Sequence, residues 1–146
     1  MRFSFFLFIL VINLLSLSCK KYEEGPSLSL RSKKARLENK WKYEKILVNK
    51  TEKPLDEEDQ KFRLALEKEG LAVKKVANAS GPASFVGNWF WLEDKEKLKT
   101  IFDYTYFGNP VHEVSEYEIL KLKHKELWLE EIQAGGDTLQ YHFIPE

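Results

Sequence analysis

Few side chains in this sequence are equipped for chemistry: one cysteine (Cys19), three histidines (His112, His124 and His142), and carboxylates grouped at 56–59, at Glu93-Asp94 and at Glu130-Glu131. A single thiol makes no disulfide within the chain and rules out a four-cysteine zinc site. No two histidines stand at metal-ligand spacing, so surface positions are expected for all three, including His142 between Tyr141 and Phe143. Most of the carboxylates fall in expected turns or at element ends. Solvated charge is the expectation there, because a general acid needs buried surroundings that shift its pKa. There is no Gly-x-Ser-x-Gly nucleophile elbow. Gly81-Pro82 and Gly135-Gly136 lack the further glycines and following helix of a phosphate loop, so both are expected turns. The chain is read as a non-enzyme, with no catalytic residue, metal ligand or cofactor site expected.

One constellation remains, and it is aromatic. Trp41, Tyr43, Phe85, Trp89, Trp91, Phe102, Tyr104 and Tyr117 recur with strand-like alternation. They are read either as the lining of an apolar cavity with polar tips or as rings that fill an interior outright. Trp128 differs: if Leu127 and Leu129 take the core face, it lies outside between Glu126 and Glu130. There it is a candidate contact for a partner or the membrane, or a lone surface aromatic.

The elements that must position these rings are strands. Composition places the chain among globular proteins, at 43% hydrophobic and 32% charged, and 146 residues suit one core. With 23 basic and 23 acidic side chains, nothing in the charge balance favours a nucleic-acid partner. A short helix is expected at 32–39 with Ser32 as N-cap. Trp41 and Tyr43 then open a strand that Asn49-Lys50 ends. Further strands are expected over 84–92, 98–106, 117–122 and 126–132, and a last one runs through Leu139, Tyr141 and Phe143. They are separated by a charged turn at 93–97, a break at Gly108-Asn109-Pro110, a tight connection at Lys123-His124-Lys125 and a hairpin at 134–137.

The segment 56–70 is ambiguous. Asp56 followed by Glu57, Glu58 and Asp59 is a helix start, whereas Phe62, Leu64 and Leu66 alternate as a strand does. The expectation is a short helix at 56–60 and then a hairpin of strands 61–68 and 71–76. That makes eight strands joined mostly by short connections, an order that closes into an up-and-down barrel and removes both edges.

The N-terminus carries an address. Met1-Arg2 precedes an apolar run from Phe3 to Leu17 that is too short and too polar at Asn13 for a spanning helix. This is the layout of an export signal, assigned to residues 1–18. Leu15-Ser16-Leu17-Ser18-Cys19 resembles a bacterial lipobox, although Ser16 stands where Leu is usual. The resemblance implies cleavage before Cys19 and acylation of its thiol and new N-terminus. Several acyl chains exceed what stable membrane anchoring requires. Residues 19–30, with Gly25-Pro26, read as a tether. Lys20 after the cysteine implies, by the same resemblance, the outer membrane. The run Lys20-Lys21-Tyr22-Glu23-Glu24 is either a surface-export signal or a solvated spacer.

The mature chain resembles the lipocalin-like lipoproteins of Bacteroidetes-type bacteria. The likeness rests on Cys19-Lys20-Lys21-Tyr22 with Gly25-Pro26, on Leu37-Glu38-Asn39-Lys40-Trp41-Lys42, and on Val48-Asn49-Lys50. It continues through Lys68-Glu69-Gly70, Gly87-Asn88-Trp89 and the Asp94 to Leu98 run. The hairpin of Tyr117 to Leu122 with Glu126-Leu127-Trp128-Leu129 completes it. Asn39-Lys40-Trp41 lacks the glycine of the usual lipocalin Gly-x-Trp. The resemblance implies an all-β, lipocalin-like eight-stranded antiparallel barrel over 31–146, anchored to the membrane through Cys19. Two functions follow as expectations: binding of a small apolar ligand in a cavity of at least ~300 Å³, or a filled barrel whose outer surface meets an envelope protein partner.

Overall fold

The computed structural model describes residues 31–78 and 81–146. The expected signal peptide, Cys19 and the tether lie outside the described residues. Ser32 starts the first helix, α1 (Lys33–Leu37), its hydroxyl accepting from the Ala35 amide at 3.1 Å. The chain then enters β1 (Asn39–Val48). Asn49 and Lys50, with φ of 49° and 68°, form a two-residue turn of the hairpin-favouring hand, and β2 (Thr51–Lys53) returns along β1. Helix α2 (Glu57–Lys61) follows, closed at its start by a reciprocal capping box. Asp56 accepts from the Asp59 amide at 2.8 Å, and Asp59 accepts from the Asp56 amide at 3.3 Å.

The rest of the chain is a meander: β3 (Arg63–Leu66), β4 (Leu71–Asn78), β5 (Gly81–Leu92), β6 (Lys97–Tyr106), β7 (Asn109–Lys123), β8 (Glu126–Ile132) and β9 (Thr138–Pro145). Each strand pairs antiparallel with the next, and β1 joins β3 on one side and β9 on the other. The result is a closed barrel of eight strands, with β2 a short hairpin flap on β1. Bulges between Tyr43 and Lys45 in β1 and between Ile119 and Lys121 in β7 reverse the in-out phase of their strands. After them, Ile46 and Leu122 still face inward and are buried.

The two poles differ. One carries α1 and the turns β3–β4, β5–β6 and β7–β8, and its interior is packed solid with Leu37, Trp41, Leu66, Trp89, Leu98, Leu122 and Leu127. The polar edges of two of its tryptophans are satisfied, while the buried Trp91 Nε1 has no hydrogen-bond partner among the described residues. Trp41 Nε1 donates to the Leu37 carbonyl and Trp89 Nε1 to the Glu67 carbonyl, both at 2.9 Å. The opposite pole carries the β1–β2, β6–β7 and β8–β9 turns. There Asn49 ties two hairpins together, donating to Asp137 at 2.8 Å and accepting from the Thr138 amide at 3.0 Å.

The expected all-β architecture and the split of 56–70 into helix and hairpin both hold. Four details are corrected. The chain continues past Asn49-Lys50 into β2, giving nine strands among the described residues, of which eight form the barrel. Gly108-Asn109-Pro110 does not break the pattern for long: Asn109 and Pro110 already belong to β7, which runs for 15 residues. Pro110 pairs with Thr105 two steps from the turn, near the strand end where its missing N–H is tolerated. Gly81-Pro82 is the start of β5, not a turn. Tyr106, expected on the same face as Tyr104, lies exposed at the hairpin tip and meets Phe107 edge-on.

Gly87 leaves no room for a side chain. A Cβ there would stand 2.1 Å from the Ile101 carbonyl oxygen and 2.6 Å from the Phe102 ring. Its absence lets the Phe102 ring lie close over the Gly87 backbone. Gly87→Ala is therefore expected to destabilise the protein by at least about 1–3 kcal/mol, the usual cost of overpacking, as read by denaturant unfolding. An unchanged midpoint would contradict this packing.

Candidate functional site

Above the plug the barrel interior changes character. A cavity of about 270 Å³ lies between Tyr43, Phe62, Thr100, Phe102, Glu113, Ser115, Tyr117, Glu131, Tyr141 and Phe143, with Lys74 and Val76 in its wall. It occupies the half nearer the β6–β7 and β8–β9 turns, since Glu113 and Glu131 stand close to those strand ends. A larger hollow of about 850 Å³ exists at the α1 pole, lined by Ala35, Lys40, Leu66 and Lys68 among others. It is an open surface groove with mixed charges, so the interior cavity is the candidate site.

Register explains how charge comes to lie inside. Lys74 is in phase with Ala72 and Val76, Glu113 with Ser115 and Tyr117, and Glu131 with Leu127 and Leu129. Lys74 Nζ reaches both carboxylate oxygens of Glu113, one of them at 2.6 Å. The same ammonium lies 4.8 Å from the Phe102 ring centre and 5.6 Å from those of Phe85 and Tyr104. That is within range of attraction by the ring faces. Tyr104 donates its hydroxyl to Glu113 at 3.0 Å.

Across the cavity, the one hydrogen bond that Glu131 accepts among the described residues is a long one, from Tyr141 at 3.4 Å. Burial raises its carboxyl pKa, the Tyr141 hydroxyl works against that, and the negative charge of Glu113 adds to the rise. Burial also holds the phenols neutral: Tyr117 is pushed up to about 12, and Tyr43 well above its ordinary value. Tyr43 stacks on Phe62 with ring centres 4.4 Å apart and on Phe143 at 4.9 Å, and Tyr141 lies 5.6 Å from Tyr43.

The eight expected aromatics all face the interior, but they divide. Trp41, Trp89 and Trp91 belong to the plug, Trp89 and Trp91 meeting edge to face at 5.7 Å. Phe85 and Tyr104 pack on each other at 4.2 Å beside Lys74. Only Tyr43, Phe102 and Tyr117 line the cavity. Both readings of the aromatic set therefore apply, each to its own half of the barrel. The volume falls just short of the expected ~300 Å³, and the wall is amphipathic, not simply apolar. Sequence reasoning missed Lys74 and Glu113 and placed Glu131 among solvated carboxylates. The available signal was alternation, since all three are in phase with inward residues.

Outside the barrel, Trp128 is not a free surface ring. It stacks on His142 with centres 4.0 Å apart, and the Lys121 ammonium sits 3.8 Å above it while pairing with Glu126 at 3.0 Å. His142 is thereby only 4% exposed, which corrects its expected surface position. Neither of its ring nitrogens has a hydrogen-bond partner among the described residues. His124 contacts Arg31 at 2.9 Å, and His112 contacts Asp103 on the exposed outer face. Among the described residues no three potential metal-ligating side chains of His, Cys, Asp or Glu cluster together.

The chain matches no protein-family model, and no curated protein is significantly similar to it. The fold defines a class: a closed eight-stranded antiparallel barrel, plugged at one pole and hollow towards the other.

Burial, with Lys45 and Lys121 nearby and only Glu126 opposing them, lowers the His142 pKa from 6.5 to about 4. A depressed folded-state pKa means stability that is complete above pH 6.5 and lost as pH falls towards 4. The loss is on the order of 3 kcal/mol. Unfolding measured across this window is expected to show the slope in the natural protein and to lack that contribution in His142→Phe, which keeps the stack on Trp128. Parallel pH profiles in the two proteins would refute the assignment.

Proposed function

We propose that this chain is a lipid-anchored protein of the bacterial outer membrane whose barrel holds a small ligand non-covalently in its upper cavity. The anchor reading rests on the lipobox-like sequence ending at Cys19. The lipocalin-like resemblance is in keeping with the eight-stranded closed barrel. One observation carries the ligand reading: the interior is plugged in one half and left hollow, with charged and aromatic walls, in the other. A filled barrel needs no such division. At about 270 Å³ the space exceeds the ~150 Å³ that already admits benzene in an engineered core, so a single ring with a short substituent fits.

A second reading, an interaction module acting through its outer surface, draws support from Val86, Phe90 and Val114, which stand exposed on the outer face of β5 and β7. The covered Trp128 does not contribute to it. The two readings separate on a cavity-filling variant. Native mass spectrometry and uptake of a small hydrophobic fluorescent probe are expected to reveal a bound molecule in the natural protein and none in Ser115→Trp, with the fold kept. Equal uptake by both proteins would place binding elsewhere and favour the outer surface.

A further inference from the structure

The cavity wall is unbalanced in charge, and the imbalance identifies the kind of ligand. Two carboxylates and one ammonium face the hollow: Glu113, Glu131 and Lys74. Lys74 is fully engaged, held by both oxygens of Glu113 and surrounded by the Phe85, Phe102 and Tyr104 rings. Glu131 has no cationic partner among the described residues, and its one hydrogen bond is the 3.4 Å contact from Tyr141. A partly desolvated carboxylate is costly unless a cation or several donors meet it. Tyr43, Tyr141 and Phe143 line the same cavity and pack on one another, offering an aromatic wall to the hydrocarbon part of a ligand.

Resting on the ligand-binding reading above, we infer that the ligand is a small protonated amine. Its ammonium pairs with Glu131, and its hydrocarbon part lies against Tyr43, Phe62 and Phe143. The alternatives fit less well. An anionic ligand would face two carboxylates, with the only ammonium already bridged to one of them. A neutral apolar ligand would strip the remaining water from Glu131 and return nothing. A divalent metal ion needs six or more oxygen ligands for calcium, or a near-ideal octahedron for magnesium, and one available carboxylate supplies neither. With Glu131 paired, the cavity would hold two complementary ion pairs and a net charge of zero.

The test uses the full chain in mild detergent and three probes of similar size: phenethylamine, neutral 2-phenylethanol and anionic 3-phenylpropanoate. Binding is measured by calorimetry, with thermal unfolding as a check on the fold. The natural protein is expected to bind the amine at least about tenfold more tightly than the alcohol, a difference of ~1.4 kcal/mol, and to leave the acid unbound. Glu131→Gln, which keeps shape and loses charge, is expected to fold normally and to bind amine and alcohol alike. If the alcohol binds the natural protein as well as the amine does, or if Glu131→Gln keeps the preference, the amine inference falls while the cavity remains a binding site. If none of the three binds, both the inference and the ligand-binding reading fail.

Discussion

Pairing of β1 with β9 is the constraint on which the rest of this structure depends. Seven antiparallel hairpin contacts in sequence order would leave a curved sheet with two open edges. The ladder from Trp41 opposite Pro145 to Val48 opposite Leu139 removes both. Closure also forces every second side chain of eight strands into one shared interior. The bulges in β1 and β7 are the adjustments that keep this interior in register, since without them the residues after Tyr43 and Ile119 would present the wrong face. The flap β2 exists because β1 outruns β3, whose pairing ends at Trp41 opposite Leu64.

A shared interior must be filled or must hold something, and this one does both. In the α1 half, aliphatic and indole side chains fill the interior, and the Trp41 and Trp89 N–H donors find carbonyls. Burial of this apolar surface drives folding. The other half contains an ammonium and two carboxylates on the inner face in place of such apolar packing. Replacing a buried ion pair by apolar groups is often neutral or favourable. The Lys74–Glu113 pair is accordingly better understood as maintaining the hollow than as holding the barrel together. Its cation lies against the Phe85, Phe102 and Tyr104 rings and keeps that part of the cavity wall polar.

Much of the fold was legible because alternation is a strong local signal. Leu98, Thr100, Phe102 and Tyr104 face inward as their spacing implies, and the Asp56 capping signal together with the alternation of Phe62, Leu64 and Leu66 resolved a segment whose composition alone reads as helix. What was hidden is non-local. Asn49-Lys50 looks like the end of a strand because the sequence does not reveal that Thr51 will pair back to Val48. The first half of β7 is polar at His112, Glu113 and Ser115, so its strand character comes from pairing with β6. His142 was expected at the surface, whereas its burial depends on Trp128 and Lys121, which come from other strands. The candidate site was the least legible part. Alternation places Lys74, Glu113 and Glu131 on the inner face, yet charge ordinarily argues for solvent, and only the closed barrel decides between the two.

The most direct test of this account is thermal unfolding of the double variant Lys74→Met/Glu113→Leu, with and without saturating phenethylamine. A ligand that binds the folded state alone raises the midpoint of a functional barrel. The account predicts that the double variant melts at the same temperature as the natural protein or higher, and that the amine no longer shifts it because the hollow has closed. A double variant that melts well below the natural protein, or one that keeps the full amine-induced shift, would contradict the view that this pair maintains the binding cavity.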